Sequence, residues 1–558
     1  MKMNLESLQD RKKWEEMGFK LPDYSVEKMI ENTANNPEWI HFGAGNIFRA
    51  FPAVVCQHLL NSGIMTTGIV VAEGYDYEII EKSFKNYDNL TAAVTLKADG
   101  TIEKEIVASI AEALCVDSNN EKDWNRLNKI FKAESLKMVS FTITEKGYSL
   151  VRGNGEMLPD VKVDMENGPE NVHSYIGKLV SLLYTRYKNG EKPVTLVSMD
   201  NCSHNGIKLK EAVYEFAKSW VNNLLADGEF LPYIQYSVSY PCSMIDKITP
   251  RPSDEVLKIL EADGIENAAP VDKITPRPAD AVIDMLKEVG FEDTEAVVTS
   301  KNTFVAPFVN AEETQYLVIE DDFKNGKLPL DKGGIIYTTR NTVDKVEKMK
   351  VCTCLNPLHT ALAVYGCILG YTKICDEMKD ENLVTLIKNA GYKEGLPVVT
   401  DPGILSPKEF IDTVVEVRLP NPFMPDAPQR IACDTSQKVG IRFGETIKAY
   451  MKEGTSDKLE YIPLVLAGWL RYLMAKDDNG NDFELSPDPL IPELTSIMSD
   501  VKFGDNSNAD EAVAKILDKK DIFGVDLKEA GLNNKILAYF KELNGGKGAV
   551  RATLKKYC

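Results

Sequence analysis

The stretch Trp39-Ile-His-Phe-Gly43-Ala-Gly45-Asn-Ile-Phe-Arg49-Ala-Phe51 decides the architecture of this chain. An apolar run ends at two glycines, and an amphipathic stretch over 51–60 follows. A second apolar run, Gly68-Ile-Val-Val-Ala72, then leads into Glu73. Strand, glycine turn, helix and strand in that order make one βαβ unit.

Working outward, further β-like runs occupy 90–96, 136–144 and 194–199, with helical spacing over 174–187 and 207–225. Such alternation predicts an α/β fold: a mostly parallel, doubly wound Rossmann-type sheet with helices on both faces. Beyond residue 342 the pattern turns helical, over 342–351, 358–370, 380–390, 462–475 and 509–517. A boundary is therefore expected near Arg340, after Asp331-Lys-Gly333-Gly334. Residues 1–340 would form the nucleotide-binding domain and 341–558 a mainly helical substrate domain. The segment Asp246-Lys-Ile-Thr-Pro-Arg251-Pro252 recurs as Asp272-Lys-Ile-Thr-Pro-Arg277-Pro278, each copy followed by a helix-like stretch, at 255–260 and 281–289. The first copy follows the run Tyr240 to Ile245 and is the better candidate for a ligand contact.

The 558 residues exceed what one core holds, and 44% hydrophobic with 27% charged content suits a globular protein. A net charge of −19 argues against nucleic acid or an anionic membrane as partner, since both need a basic surface. Ten cysteines without a Cys-x-x-Cys spacing argue against a zinc ribbon and suggest a reduced, cytoplasmic protein. The amino terminus lacks the apolar core of a signal peptide, and the apolar run near 358–371 falls short of a span of roughly 20 residues. A small-molecule substrate, no metal, and a monomer or small homo-oligomer are expected.

Gly43 would allow the tight turn, and Gly45 would let the backbone approach a pyrophosphate at the start of the helix opened by Asn46. Phe48 stands where the usual fingerprint has its third glycine and is counted with Gly43, Gly45 and Asn46 as a cofactor-binding position. Arg49 adds a cation for phosphate or substrate. Glu73, with Asp76 as rival, ends the second strand, where an acid accepts ribose hydroxyls of NAD and repels the extra phosphate of NADP.

Five histidines narrow the search for an acid or base. His41 and His58 read as packing and surface positions. His204, in Asp200-Asn201-Cys-Ser-His204-Asn205-Gly206, lies just beyond a strand, where such sheets bind ligands. His359 is the strongest candidate. Asn356-Pro357 reads as an N-cap with proline at the first helical position, putting His359 in the first turn and on one face with Asn356. Lys350 ends the preceding helix, with Thr342 as its cap. A lysine driven into a partly desolvated cleft can act as a base, while Asn356 and His359 hold an alkoxide or carbonyl oxygen. In Arg430-Ile-Ala-Cys-Asp434-Thr-Ser-Gln-Lys438 two cations could clamp a carboxylate or hydroxyls.

These segments resemble the mannitol dehydrogenase family, the polyol-specific long-chain dehydrogenases. The likeness runs through 41–51, Ala98-Asp-Gly100, Thr142-Ile-Thr-Glu145-Lys-Gly147, the Asp200 and Met244-Ile-Asp246 segments, Val318-Ile-Glu320-Asp321, the Lys350 segment and Arg430 to Asp434. The resemblance implies metal-independent, NAD(P)-dependent oxidation of a secondary alcohol. It casts Lys350 as base, Asn356 and His359 as the oxygen-binding pair, Asn201 and Asp246 as polar lining, and Arg430 and Lys438 as substrate cations. Five residues, Val351 to Leu355, separate Lys350 from Asn356 where the family usually has four, and Pro357 replaces a usual Gly. Lys348 is the fallback base. The longer, hexuronate-using members look most similar, so interconversion of D-mannonate and D-fructuronate with NAD is the expected reaction. Tagaturonate reduction and mannitol oxidation are the near alternatives. An NAD-retaining epimerase and a non-catalytic sensor are rivals from other classes.

Overall fold

Six parallel strands form the central sheet of the computed structural model, which describes residues 1–249, 280–294, 297–301, 303–424 and 426–558. They are β1 (Trp39–Phe42), β2 (Ile69–Glu73), β3 (Ile110–Cys115), β4 (Met138–Phe141), β5 (Val194–Ser198) and β6 (Val238–Ser239). Their spatial order is β3-β2-β1-β4-β5-β6. That order is two mononucleotide-binding halves joined at β1 and β4, the Rossmann arrangement expected from the sequence. Trp39 pairs with Ile69 on one side of β1 and with Met138 on the other.

The strands are buried along their whole length, which is why they read as apolar runs and not as alternating ones. Helices α1 (Pro52–Asn61), α2 (Glu121–Lys132), α3 (Tyr175–Lys188) and α4 (Asn205–Asn222) connect them. Ile40, Phe42, Val70 and Ala72 join one core cluster with Leu127, Leu179 and Phe216 of α2 to α4.

The run 90–96 is a strand, but of a different sheet. Thr91–Leu96 turns back through a hairpin closed by Lys97 N donating to Thr101 O at 3.0 Å, and pairs antiparallel with Ile102–Val107. Phe19–Lys20 and Phe308–Glu312 flank that hairpin as parallel neighbours. A short connection cannot make a parallel crossover, so Thr91–Leu96 is excluded from the main sheet. The second copy of the duplicated segment and the stretch 255–260 lie outside the described residues.

The chain divides into two compact units, Met1–Lys97 with Thr101–Asp344, and Ala98–Gly100 with Lys345–Cys558. The second is built of helices, among them the last residues of α5 (Arg340–Met349) and all of α6 (Asn356–Leu369), α7 (Tyr461–Tyr472) and α8 (Asn533–Leu543). Helix α7 packs on both α6 and α8. Gly468 permits its approach to α6, since a Cβ there would lie 2.6 Å from the Tyr365 ring, whose hydroxyl donates to Leu464 O at 2.8 Å. The first amides of α7 are taken by the buried Glu394 carboxylate, which accepts from residues 460, 461 and 462 at 2.5, 2.9 and 2.7 Å.

From Arg340 to Leu369 the helical run is continuous over 30 residues, and 83% of its most apolar window is buried within the protein. Its length and composition would suit a membrane span, but a helix so covered by its own chain is a core helix. Gly366, on α6, faces Glu377, a fully buried acid whose two oxygens have no hydrogen-bond partner. Burial, aided by Asp380, pushes this carboxyl up to about 9. The folded state therefore retains a proton that the unfolded chain gives up near its ordinary pKa. Stability contributed by the neutral acid is complete below that ordinary value and declines as pH rises toward 9. Thermal unfolding should show Tm of the native protein falling between pH 5 and 9, and Glu377→Gln should flatten that fall. Parallel pH profiles for the two proteins would refute the assignment.

Candidate active site

Winding direction reverses between β1 and β4, so the loops beyond their carboxyl ends part and leave a crevice. Gly43 sits there with φ +108°, and a Cβ on it would lie 2.3 Å from Thr142 O, just past β4. Both the dihedral and the contact demand glycine. Gly45 occupies the cap position of the short helix Asn46–Ala50.

Glu73, at the end of β2, ties this turn down. Its Oε2 accepts from Ala44 N at 2.9 Å, and its Oε1 accepts from Tyr75 N at 2.7 Å and Asp76 N at 3.1 Å. Burial raises its pKa while the three amides oppose the rise. The sequence places an acid here to accept the ribose hydroxyls of NAD. Three acceptor positions are instead filled, leaving about one of the carboxylate's four. Asp76 is more deeply committed, 2% exposed with Oδ2 accepting from Thr299 Oγ1 at 2.5 Å.

Phe48 and Arg49 also differ from expectation. The ring of Phe48 is fully buried and stacks on His41 with centroids 4.2 Å apart. Arg49 is 1% exposed, its guanidinium donating to Ala306 O and Asn46 Oδ1, both at 2.6 Å. Burial lowers it to about 10. The short helix packs against Phe308–Glu312, so this residue braces the glycine turn from inside and does not reach outward for a phosphate. His41, as expected, is a packing residue, bonded to Ser140 and Thr142.

Across the crevice, Asp200 follows β5. Its carboxylate accepts from Ile143 N at 3.1 Å, from Thr144 N at 2.8 Å and from the Tyr148 hydroxyl, and burial pushes it up to about 6. Asn201 beside it is exposed. His204, exposed and at φ +55°, caps α4; its Nδ1 lies 2.9 Å from Arg340 Nη2 and 3.7 Å from Asp344. Asp246 ends the strand Ser243–Asp246 and is 6% exposed.

In the helical unit, the expected turn between two helices is absent. Residues Lys350–Cys354 form a π turn joining α5 to α6, with Leu355 N donating to Lys350 O at 3.1 Å. A π turn holds one residue more than an α turn, which accommodates the fifth residue between Lys350 and Asn356. It also widens the helix just ahead of Pro357, whose ring would clash with the carbonyl four residues back. Asn356 is the first residue of α6 and not its cap, a position taken by Leu355, and Thr339 rather than Thr342 caps α5.

Lys350 is 5% exposed, whereas Lys348 is half exposed and ion-paired to Glu445 at 2.7 Å. The fallback lysine is thus a surface residue. Asn356 and His359 are half-buried on a helix otherwise covered at its start. His359 Nε2 stands 3.4 Å from Asp426 Oδ2, not aligned for a hydrogen bond. Asp426 also takes the Arg430 guanidinium. Despite its burial, these two cation-forming partners hold Asp426 well below the usual carboxylate range. Lys438 donates to Cys433 O at 2.8 Å and lies 3.9 Å from Asp434. Arg442, one turn beyond, donates to Thr360 Oγ1 at 2.5 Å. The sequence reading passed over Asp426 and Arg442. Their signal was spacing: four residues before Arg430 and four after Lys438, one helical turn in each case.

The sequence matches the Mannitol dehydrogenase Rossmann domain over residues 37–332 and the Mannitol dehydrogenase C-terminal domain over 342–544. The chain belongs to the mannitol dehydrogenase family. A family member from Thermotoga maritima, D-mannonate oxidoreductase, is 48% identical over 560 residues, spanning 100% of this chain and 99% of that protein. Among solved structures, a substrate-free D-sorbitol dehydrogenase superposes with TM-score 0.75 at 24% identity, covering 96% of this chain and 97% of that one. Mannitol 2-dehydrogenase of Pseudomonas fluorescens, solved as a ternary complex with NAD and D-mannitol, gives TM-score 0.64 at 24% identity, covering 100% and 99%.

The family turn at Gly43 yields a direct test. Gly43→Ala forces a Cβ against the Thr142 carbonyl and should cost about 2–4 kcal/mol of unfolding free energy in urea. Gly100→Ala, also at positive φ but with nothing within 4 Å, should cost no more than about 1–2 kcal/mol. Equal losses would mean that the contact with Thr142 is not what requires glycine.

Proposed function

We propose that this family member is an NAD-dependent oxidoreductase interconverting D-mannonate and D-fructuronate by hydride transfer. The observation that carries the reading is the 48% identity, end to end, with D-mannonate oxidoreductase. Bound NAD would supply the hydride acceptor for oxidation of the carbinol carbon and, in reduced form, the hydride donor for the reverse reaction. The turn at Gly43, Gly45 and Asn46 offers it a close backbone approach at the strand switch. Glu73 beside that turn disfavours the additional phosphate of NADP.

Lys350 takes the hydroxyl proton as D-mannonate is oxidised and gives one to the carbonyl oxygen as D-fructuronate is reduced. Its place supports this role: it is 5% exposed and sits in the π turn that leads directly into Asn356 and His359. Asn356 and His359 share a face and hold the reacting oxygen. Asn356, half-buried at the first position of α6, is placed to donate its carboxamide N–H to that oxygen. Asp426, 3.4 Å from His359 Nε2, sets a carboxylate beside the ring and limits its direction without a formed hydrogen bond. Asn201, His204 and Asp246 serve as polar contacts for substrate hydroxyls, and Arg430 and Lys438 donate to further substrate oxygens.

NADH consumption with D-fructuronate, D-tagaturonate and D-fructose in parallel, repeated with NADPH, tests the substrate. Turnover of D-fructuronate with NADH is expected; preference for D-tagaturonate or D-fructose would move the protein to another branch of the family. Lys350→Ala should lower kcat by about 100-fold or more with the fold intact by circular dichroism. Unchanged turnover would remove Lys350 from the mechanism. Asp426→Asn preserves size and should reduce kcat by roughly 10- to 100-fold with little change in KM for NADH. A rise in KM for NADH alone would place Asp426 elsewhere.

A further inference from the structure

The cation best placed to read the charge of a sugar acid is not among those singled out in the sequence. Arg430 is already neutralised by Asp426. Lys438 lies near Asp434 and donates to a backbone carbonyl. Arg442 has neither kind of compensation among the described residues: its one hydrogen bond to them goes to the neutral Thr360 hydroxyl, and no carboxylate of theirs is ion-paired with it. Asp488, which acts on Lys438, and Glu445, three residues beyond Arg442, are engaged elsewhere. Asp488 accepts from Ser436 N, Ser436 Oγ and Leu490 N, and Glu445 is paired with Lys348 and Lys448.

A half-buried guanidinium without an anion is an unfavourable arrangement, because buried charge is ordinarily paired. Two local features make it more so. Burial lowers Arg442 to about 10, and Lys438, one turn away, is itself lowered by burial and by the like charge of Arg442. Retaining two adjacent cations in partial burial makes physical sense when an anion arrives between them.

Position points the same way. Arg442 sits in a second π turn, Gly440–Gly444, which packs against the π turn of Lys350–Cys354. Gly440 and Gly444 allow that segment to press on residues 522–524, since Cβ atoms there would lie 2.9 Å from Ile522 O and 2.3 Å from Phe523 O. The Thr360 hydroxyl that receives Arg442 donates in turn to Asn356 O at 2.8 Å. The guanidinium is therefore fixed two hydrogen bonds from Asn356, the residue assigned to the reacting oxygen. A six-carbon sugar acid carries its carboxylate and its reacting hydroxyl on one short chain, so a cation anchored one helical turn from Asn356, through Thr360, is placed to meet the acid end.

We propose that Arg442, with Lys438 beside it, receives the carboxylate of the substrate and sets the preference for sugar acids over neutral polyols. This rests on the D-mannonate reading above. Arg442→Gln tests it, because glutamine can still donate to Thr360 and loses only the charge. KM for D-fructuronate should rise about 10- to 100-fold while kcat stays within about threefold, the size of a lost charge-assisted pair. The ratio of kcat/KM for D-fructuronate over D-fructose should collapse by a similar factor, and Arg442→Lys should restore much of it. Native protein that turns over D-fructuronate alongside an Arg442→Gln variant with unchanged KM would overturn the assignment while leaving the function standing. So would equal losses on acid and neutral substrates, which would mark Arg442 as structural. Native protein inactive on D-fructuronate would remove both readings together.

Discussion

Two buried carboxylates, each spending its oxygens on the backbone of the next loop, are the constraint from which the nucleotide crevice follows. Glu73 at the end of β2 holds Ala44 beyond β1, and Asp200 beyond β5 holds Ile143 and Thr144 beyond β4. The loops on both sides of the strand switch are thereby fixed from their flanks. Between them only Gly43 can sit against Thr142, so the turn has one conformation. The cost of burying each acid is met by amides that a loop would otherwise leave unsatisfied. The same device recurs in the helical unit, where Glu394 satisfies the start of α7.

The βαβ pattern was legible because the strands of the main sheet are buried on both faces, which writes them as continuous apolar runs. The helical character of the second unit was legible from its period. What the pattern did not carry was sheet membership. The run 90–96 has the composition of a strand in either sheet, and only the short hairpin to 102–107 decides against the parallel one. Nor did it carry orientation. Arg49 and Glu73 are charged residues at motif positions, and charge at such positions reads as ligand contact. Both charges are instead used internally, on Ala306 and on three amides.

The helical unit shows the converse. An extra residue between Lys350 and Asn356 looked like a departure that displaced the lysine. A π turn takes it up within a continuous helix, and the same widening makes room for Pro357. The irregularity in sequence is thus a regular feature of the backbone. Lys348 and Lys350, two residues apart, are separated by burial alone: one is paired with Glu445 near solvent, the other enclosed.

Charge bookkeeping around α6 distinguishes cations that hold the protein together from those that await a ligand. Asp426 is shared between His359 and Arg430, and its depressed pKa records how strongly the pair holds it ionised. An arginine so occupied keeps its remaining donors for hydroxyls, which need direction more than charge. Arg442 has direction from Thr360 but, among the described residues, no ion-paired carboxylate. Two guanidinium groups a short distance apart in sequence therefore differ in what they ask of a substrate, one a hydrogen-bond acceptor and the other an anion. A sugar acid carries both groups on one chain, whereas a neutral polyol satisfies only the first.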